Sequence, residues 1–174
     1  RKVDEYWKDG EIPWFSPTDL SKSKGLIQLD SAEKISKLGL QKSSAKLLGP
    51  DSFMMTSRAT IGLFGLIDKP FTTNQGFINV TPFEPHHKEF LFYNFIYRIE
   101  EFKGYATGAT FPELSKSKFK VLDIVWPSDD ILLSFHSEIR PIHRQLTNLS
   151  TQNRLLREAR DILLPRLMGG EVEV

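Results

Sequence analysis

The stretch SDDILLSFHSEIRPIHRQLTNLSTQNRLLREARDILLPRLMGG, residues 128–170, decides the architecture of this chain. Leu132, Phe135, Ile139, Ile142, Leu146, Leu149, Asn153, Leu156, Arg160 and Leu163 follow one another in alternating steps of three and four, the spacing of a heptad seam. Ser128 supplies an N-cap, Asp129 and Asp130 put acids in the first turn, and Gly169 and Gly170 provide a stop. The spacing predicts a helix of roughly 35 residues, about 50 Å long. Such a helix is too long to pack along one small domain, so part of the seam is expected to meet a second helix. That helix comes from another copy of the segment or from a related neighbour in a longer chain. Gln145, Asn148, Gln152, Arg154, Arg157 and Glu158 leave only a narrow apolar stripe, as a two-stranded seam requires. Asn153 at a core-type position sets register and partner number at a cost in stability. Pro141 lacks an amide donor, and a bend or local break is expected near residues 137 to 141. His136 and His143 lie seven apart, about 10 Å along the axis, too far to chelate one metal ion, and read as residues flanking the stripe.

Outward from this helix, the remaining sequence has the makeup of one globular domain. The 174 residues are 40% hydrophobic and 26% charged, which excludes a disordered chain. No apolar run approaches the roughly 20 residues of a membrane span. The absence of cysteine removes disulfides, thiolate metal sites and a cysteine nucleophile, and fits a cytoplasmic location. The chain opens on Arg1 with no signal-peptide pattern behind it, so this end reads as a fragment or processed boundary.

Residues 1 to 127 are expected to form a mixed, strand-rich domain. Ile12 to Phe15 reads as an extended segment and Ser16 to Leu20 as a turn. Residues 31 to 38 read as a short helix capped by Asp30 or Ser31 and ended by Gly39. Ser52–Thr56, Thr60–Ile67, Gly76–Thr81 and Val121–Trp126 have the composition of strands. Lys88 to Phe102 returns to helical spacing, with Phe92, Phe95, Ile99 and Phe102 on one side. The fold class is therefore α+β: a strand-rich domain over 1–127 followed by a long coiled-coil-type helix over 128–174.

Catalytic signatures are missing. No phosphate loop, dinucleotide glycine fingerprint, nucleophile elbow or HExxH pattern occurs. His86-His87 with Glu89 sits in a Pro-bounded stretch that reads as an exposed turn, and no metal site is assigned to it. Glu101 and Lys103 make an ExK pair without a partner acid at a recognisable spacing. The motifs of DNA base methylation, an Asn or Asp before Pro-Pro-aromatic and a glycine-rich methyl-donor loop, are lacking as well.

Charge adds little at the level of the whole chain, where 23 basic and 22 acidic residues give +1. Locally it is uneven. Lys22, Lys24, Lys34, Lys37, Lys42 and Lys46 face only Asp30 and Glu33, while Lys103, Lys116, Lys118 and Lys120 face Glu113. Between these clusters lie three polar motifs, Thr56-Ser57-Arg58-Ala59-Thr60-Ile61-Gly62, Thr72-Thr73-Asn74-Gln75-Gly76-Phe77 and Tyr105-Ala106-Thr107-Gly108-Ala109-Thr110-Phe111. Arg, Asn, Gln, Ser and Thr are the side chains that read base edges, and Lys with Gly-freed amides suits phosphates. Each motif also has an internal explanation: Asn74 and Gln75 satisfying backbone groups, Arg58 pairing with an acid, Gly108 permitting a turn.

Read in order, Gly-Glu-Ile-Pro-Trp-Phe-Ser-Pro-Thr-Asp-Leu (10–20), Thr-Ser-Arg-Ala-Thr-Ile-Gly (56–62), Thr-Asn-Gln-Gly-Phe (73–77), Tyr-Ala-Thr-Gly-Ala-Thr-Phe (105–111) and Arg-Asp-Ile-Leu-Leu-Pro-Arg-Leu-Met-Gly-Gly-Glu (160–171) resemble specificity subunits of type I restriction-modification systems. The resemblance covers nearly the whole chain. It implies one target-recognition domain and its conserved helix, half of a subunit in which two such helices pack antiparallel as a spacer between two half-sites. The Glu-Val-Glu-Val end resembles the end of such a subunit and points to the carboxyl-terminal half, with a half-length subunit that pairs with itself as the alternative. The resemblance further implies a non-catalytic subunit that reads double-stranded DNA and docks modification (methyltransferase) subunits, and through them the restriction subunit. S-adenosylmethionine and ATP then belong to those partners, and this chain needs no cofactor of its own. Trp14, Ser16, Ser57, Arg58, Asn74 and Gln75 match recurrent family motifs. Thr60, Tyr105, Thr107 and Thr110, with Lys22, Lys24, Lys103, Lys116 and Lys118, complete the candidate DNA-binding set. The rival reading is a coiled-coil protein-interaction adaptor whose globular head does not touch DNA.

Overall fold

The computed structural model describes residues 3–23, 25–108 and 112–170. Two small sheets and a helical layer precede one long helix. In the first sheet, β1 (Ile12–Phe15) lies between β2 (Glu33–Ile35), antiparallel to it, and β5 (Thr72–Thr73), parallel to it. In the second, β3 (Phe53–Thr56) is flanked on both sides by antiparallel partners, β4 (Phe64–Leu66) and β6 (Phe77–Val80). All four residues of β3 are buried because each face meets a different core. Phe53 and Met55 face Phe92, Phe95 and Phe102 of the helical layer, and Met54 faces Phe15, Ile67, Phe71 and Phe77. Edge-to-face pairs such as Phe53–Phe92 at 5.3 Å and Phe95–Phe102 at 5.5 Å fill the first core.

Several short elements differ from the sequence expectation. Ser16 to Leu20 does not simply turn. It opens α1 (Pro17–Lys22), with Ser16 at the N-cap. The helix expected over 31 to 38 is β2 followed by α2 (Lys37–Lys42), capped by Ser36, whose hydroxyl accepts from the Gly39 amide at 3.1 Å. Ser31 is used elsewhere: its hydroxyl accepts from the Trp14 amide at 2.9 Å and ties β1 to β2. The strand expected over Thr60–Ile67 shrinks to β4, because the Thr56 side chain holds residues 57–62 in a tight loop by donating to the Thr60 carbonyl and accepting from the Leu63 amide. Gly62, at φ +89°, closes that loop where a β-carbon would sit 2.2 Å from Ile99. Val121–Trp126 is not a strand: Leu122 and Ile124 pack on the core and Val121 and Val125 point outward, but no neighbouring strand pairs with them. Lys88 to Phe102 divides at Arg98 into α3 (Lys88–Tyr97) and α4 (Ile99–Gly104), and α5 (Lys116–Phe119) follows.

Asp19 is the joint of the first sheet. Its carboxylate accepts from the Ser16 amide at 2.8 Å, from the Ser16 hydroxyl, and from the Ala32 amide at 2.9 Å. Burial pushes this carboxyl up, but the hydrogen bonds from Ser16 and Ala32 outweigh it and hold its pKa below the ordinary value. A carboxyl depressed in the folded state stabilises above its unfolded pKa of 3.8 and loses that contribution as pH falls below it. Asp19→Ala is therefore expected to cost about 2 kcal/mol at neutral pH, since hydrogen bonds to charged groups are lost. Urea melts should show that the difference from the unaltered chain shrinks under acid, below about pH 4.

Helix α6 (Asp129–Met168) runs for 40 residues, about 60 Å, five residues longer than expected. It passes through Pro141 and Pro165 without the break expected near 137 to 141. Both prolines lie on the exposed face of the helix. The amino-terminal turns dock on α3 and on the 3-10 turn Pro85–His87. Leu132 is fully buried, Phe135 and Ile139 are half-buried, and His136 and His143 are docking contacts on the domain, not flanking residues. The Glu89 carboxylate on α3, 3% exposed, accepts from His136 Nδ1 at 2.7 Å and lies 3.9 Å from His143 Nδ1. Tyr93 stacks on the His143 ring and shares a 3.0 Å hydrogen bond with Nε2. Along the seam, Ile142, Leu146, Leu149, Leu156 and Leu163 are exposed. No helix among the described residues is long and apolar enough to cross a membrane.

Candidate nucleic-acid interface

The three polar motifs, far apart in sequence, meet at one end of the second sheet. The Ser57 amide donates to the Gly76 carbonyl at 2.8 Å, joining the first motif to the second. The Leu114 amide donates to the Ser57 carbonyl at 3.0 Å, and Thr107 exchanges backbone hydrogen bonds with Glu113 at 2.9 and 3.0 Å, which brings in the third. Beside this junction lies a groove of about 300 Å³ lined by Trp14, Ser44, Lys46, Thr73, Asn74, Gln75, Asn79 and Lys116. One lysine from each sequence cluster, Lys46 and Lys116, therefore borders the same groove.

The local hydrogen bonds sort the candidate residues. Ser57 is buried and joins loops through its backbone, and Ser16 is taken up by the Asp19 joint, so both serve the scaffold. Asn74 accepts from the Gly76 amide at 2.9 Å through its side chain, an Asx turn that fixes the loop and leaves its amide nitrogen toward the groove residues. Trp14 is half-buried and held edge-on by Trp7 at 5.2 Å. Gln75 is exposed. Arg58 pairs with Glu113 at 2.7 Å, the internal pairing that the sequence left open. With the two side chains 46% and 39% exposed, that pair contributes at most about 1 kcal/mol and leaves Arg58 available to another anion.

Others are more scattered. Lys103 pairs with Glu100 at 2.7 Å on α4, and Lys118 Nζ donates to the Tyr105 carbonyl at 3.2 Å. Thr60, Tyr105, Thr107 and Lys22 are exposed but do not line the groove. Lys24 and Thr110 lie outside the described residues, as does the 171–174 end. Asn79 was missed from the sequence. It lines the groove, its Nδ2 donates to Thr73 Oγ1 at 2.7 Å, and its Oδ1 is buried without a partner among the described residues. An orphaned acceptor at that place is costly unless a ligand or water donates to it. A larger cleft of about 380 Å³ at the junction of α3 and α6 is lined by Lys88, Glu89, His136, Arg140 and His143, and none of the candidate DNA-binding residues reaches it.

The chain is similar to known proteins in sequence and in fold. A curated relative, the MjaIX type I restriction enzyme specificity subunit of Methanocaldococcus jannaschii, is 31% identical over 157 residues, 89% of this chain and 36% of its own length. The HindI specificity subunit of Haemophilus influenzae is 29% identical over 171 residues, 97% of this chain and 37% of its own. The chain thus spans little more than a third of these relatives. The crystal structure of a type I restriction-modification S subunit from M. genitalium superposes with a TM-score of 0.65 over 96% of this chain and 41% of that one, at 16% identity, which shows a shared fold. The profile described as type I restriction modification DNA specificity domain matches residues 1–156, and the chain belongs to that family.

Proposed function

We propose that the chain is a sequence-specific DNA-recognition module of a type I restriction-modification complex. It reads one half of a bipartite target and docks the modification subunit, and it carries no catalysis of its own. The observation that supports this most directly is a groove lined by the second polar motif and by one lysine of each cluster, beside the junction that ties the other two motifs to it. Gln75, exposed at the groove, offers the amide fork that pairs with adenine. Lys46 and Lys116 then meet phosphates on either side. S-adenosylmethionine and ATP enter with the partner subunits, in the cytoplasm. The exposed seam of α6 pairs with a second helix of the same kind and sets the distance between the half-sites.

The test is to reconstitute the chain with a modification subunit and map the methylated adenines, where a recurring split motif is the expected result. Random methylation, or none, overturns the reading. On the duplex so identified, Arg58→Ala is expected to lose about 1–3 kcal/mol of binding. Loss that is equal on every duplex shows instead that Arg58 only positions the backbone. The Lys46→Ala/Lys116→Ala pair should weaken binding to all sequences and lower the slope of log K against log salt by roughly two. Salt-insensitive behaviour and no shift of any duplex favour the coiled-coil adaptor.

A further inference from the structure

His86 and His87 sit on the 3-10 turn Pro85–His87, against the first turn of α6. Donor atoms of His86, His87 and Asp129 all lie within 4.8 Å of one another, and His87 Nε2 is 3.8 Å from Asp129 Oδ1. The Nε2 atoms of both histidines are buried and have no hydrogen-bond partner. The chain has four histidines and no cysteine, and the other two histidines are engaged, His136 by Glu89 and His143 by Tyr93. Two neighbouring imidazoles, each with an unsatisfied nitrogen among the described residues, beside one carboxylate are the donor set of a borderline divalent transition-metal ion.

We propose that His86, His87 and Asp129 form a site for a divalent transition-metal ion, zinc-like in chemistry, that ties the Pro85–His87 turn to the amino terminus of α6. A tetrahedral ion with ligands at about 2.0–2.1 Å places its donors roughly 3.3 Å apart. Closing to that spacing takes rotation of the Asp129 carboxylate, whose side chain is 76% exposed, together with small rotations of the two rings. The fourth position is left to water. Asp129 and Asp130 together offset the positive end of the α6 dipole, which otherwise disfavours a cation there. Coordination satisfies both orphaned nitrogens at once and fixes the point where the globular part passes into the long helix. Trp126 stands edge-on to the His87 ring at 4.9 Å and is a built-in reporter.

The experiment is a titration of the 174-residue chain, stripped with chelator, with Zn²⁺ by calorimetry and with Co²⁺ and Ni²⁺ by visible absorption and Trp fluorescence. One equivalent should bind, Co²⁺ should give the visible bands of a low-coordinate nitrogen–oxygen site, and Ni²⁺ should quench fluorescence in the unaltered chain but not in Trp126→Phe. Asp129→Asn and His87→Ala should each weaken binding at least tenfold, while Glu138→Gln, at an exposed acid of the same helix, leaves it unchanged. Asp129→Asn keeps the shape of an exposed side chain, so it reports on the site even if His87→Ala disturbs the turn. Absence of stoichiometric binding, or binding that survives Asp129→Asn or is lost in Glu138→Gln, overturns the proposal.

Discussion

Replacing Leu149, Leu156 and Leu163 together with Glu is expected to abolish helix pairing and leave the chain at its monomer mass of 20.0 kDa. These side chains are 47%, 67% and 46% exposed, so within one chain they bury little. Together with Ile142 and Leu146 they form an exposed stripe in the three-four spacing that has no partner among the described residues. Each leucine that moves from water into a facing helix contributes roughly 1.5–3 kcal/mol, and three new carboxylates in the seam reverse the sign of that contribution. Light scattering over a dilution series should show the unaltered chain above one-chain mass at high concentration and the triple variant at one-chain mass throughout. The melting of the globular part should hardly move, because Leu132 and the α3 contacts are untouched. Equal masses for the two proteins would show that the seam is not what joins copies. Asn153→Leu should strengthen association while loosening its register, since a buried amide in such a seam trades stability for specificity.

The long helix was readable from sequence because its signal repeats. Ten positions in one register outweigh any single residue, and Pro141 on an exposed face was not enough to break it. Short elements have no such redundancy. Val121–Trp126 alternates correctly for a strand, but pairing depends on a neighbour, and here Arg98 instead donates to the Asp123 carbonyl at 2.7 Å and holds the segment as an irregular arm. Ser31 and Glu33 looked like the start of a helix. Ser31 is drawn into a bond with Trp14, seventeen residues away, and β1 imposes an extended partner. The same limit governs the groove. Polar motifs beside glycines were visible along the chain, but the division of labour within them rests on contacts such as Arg58 with Glu113, 55 residues apart. Asn79 had no local mark at all, because a strand residue with an amide is ordinary until its neighbours leave the oxygen bare. His136 and His143 show the converse error: their spacing rules out shared chelation, and Glu89, coming from α3, uses both.

Glu89→Ala is expected to destabilise the fold by about 3 kcal/mol, the upper scale for hydrogen bonds to a charged group. The carboxylate is nearly inaccessible and holds two turns of α6, through His136 directly and through the neighbouring His143. Its loss also removes the nearest acid to Lys88, a half-buried lysine whose pKa burial already pushes down, against the attraction of Glu89 and Asp51. The Lys88 ammonium keeps its bond to the Pro50 carbonyl at 2.6 Å but faces Arg140 with less compensation. For a domain of this size such a loss lowers Tm by roughly 6–12 °C. The pH dependence carries the sharper sign. Burial pushes the His143 pKa below its ordinary 6.5, and Glu89 works in the opposite direction. A histidine depressed in the folded state binds fewer protons than the unfolded chain, so its contribution is present above 6.5 and is lost as pH falls toward the folded value. Without Glu89 that folded value drops further, and the acid window over which stability drains away widens on its lower side. Urea melts between pH 7.5 and pH 5 should therefore show the variant losing stability at least as steeply as the unaltered chain, and continuing to lose it at lower pH. A variant whose deficit shrinks toward pH 5 would mean that the carboxylate acts mainly by holding protonated histidines, and the burial argument for His143 would fail.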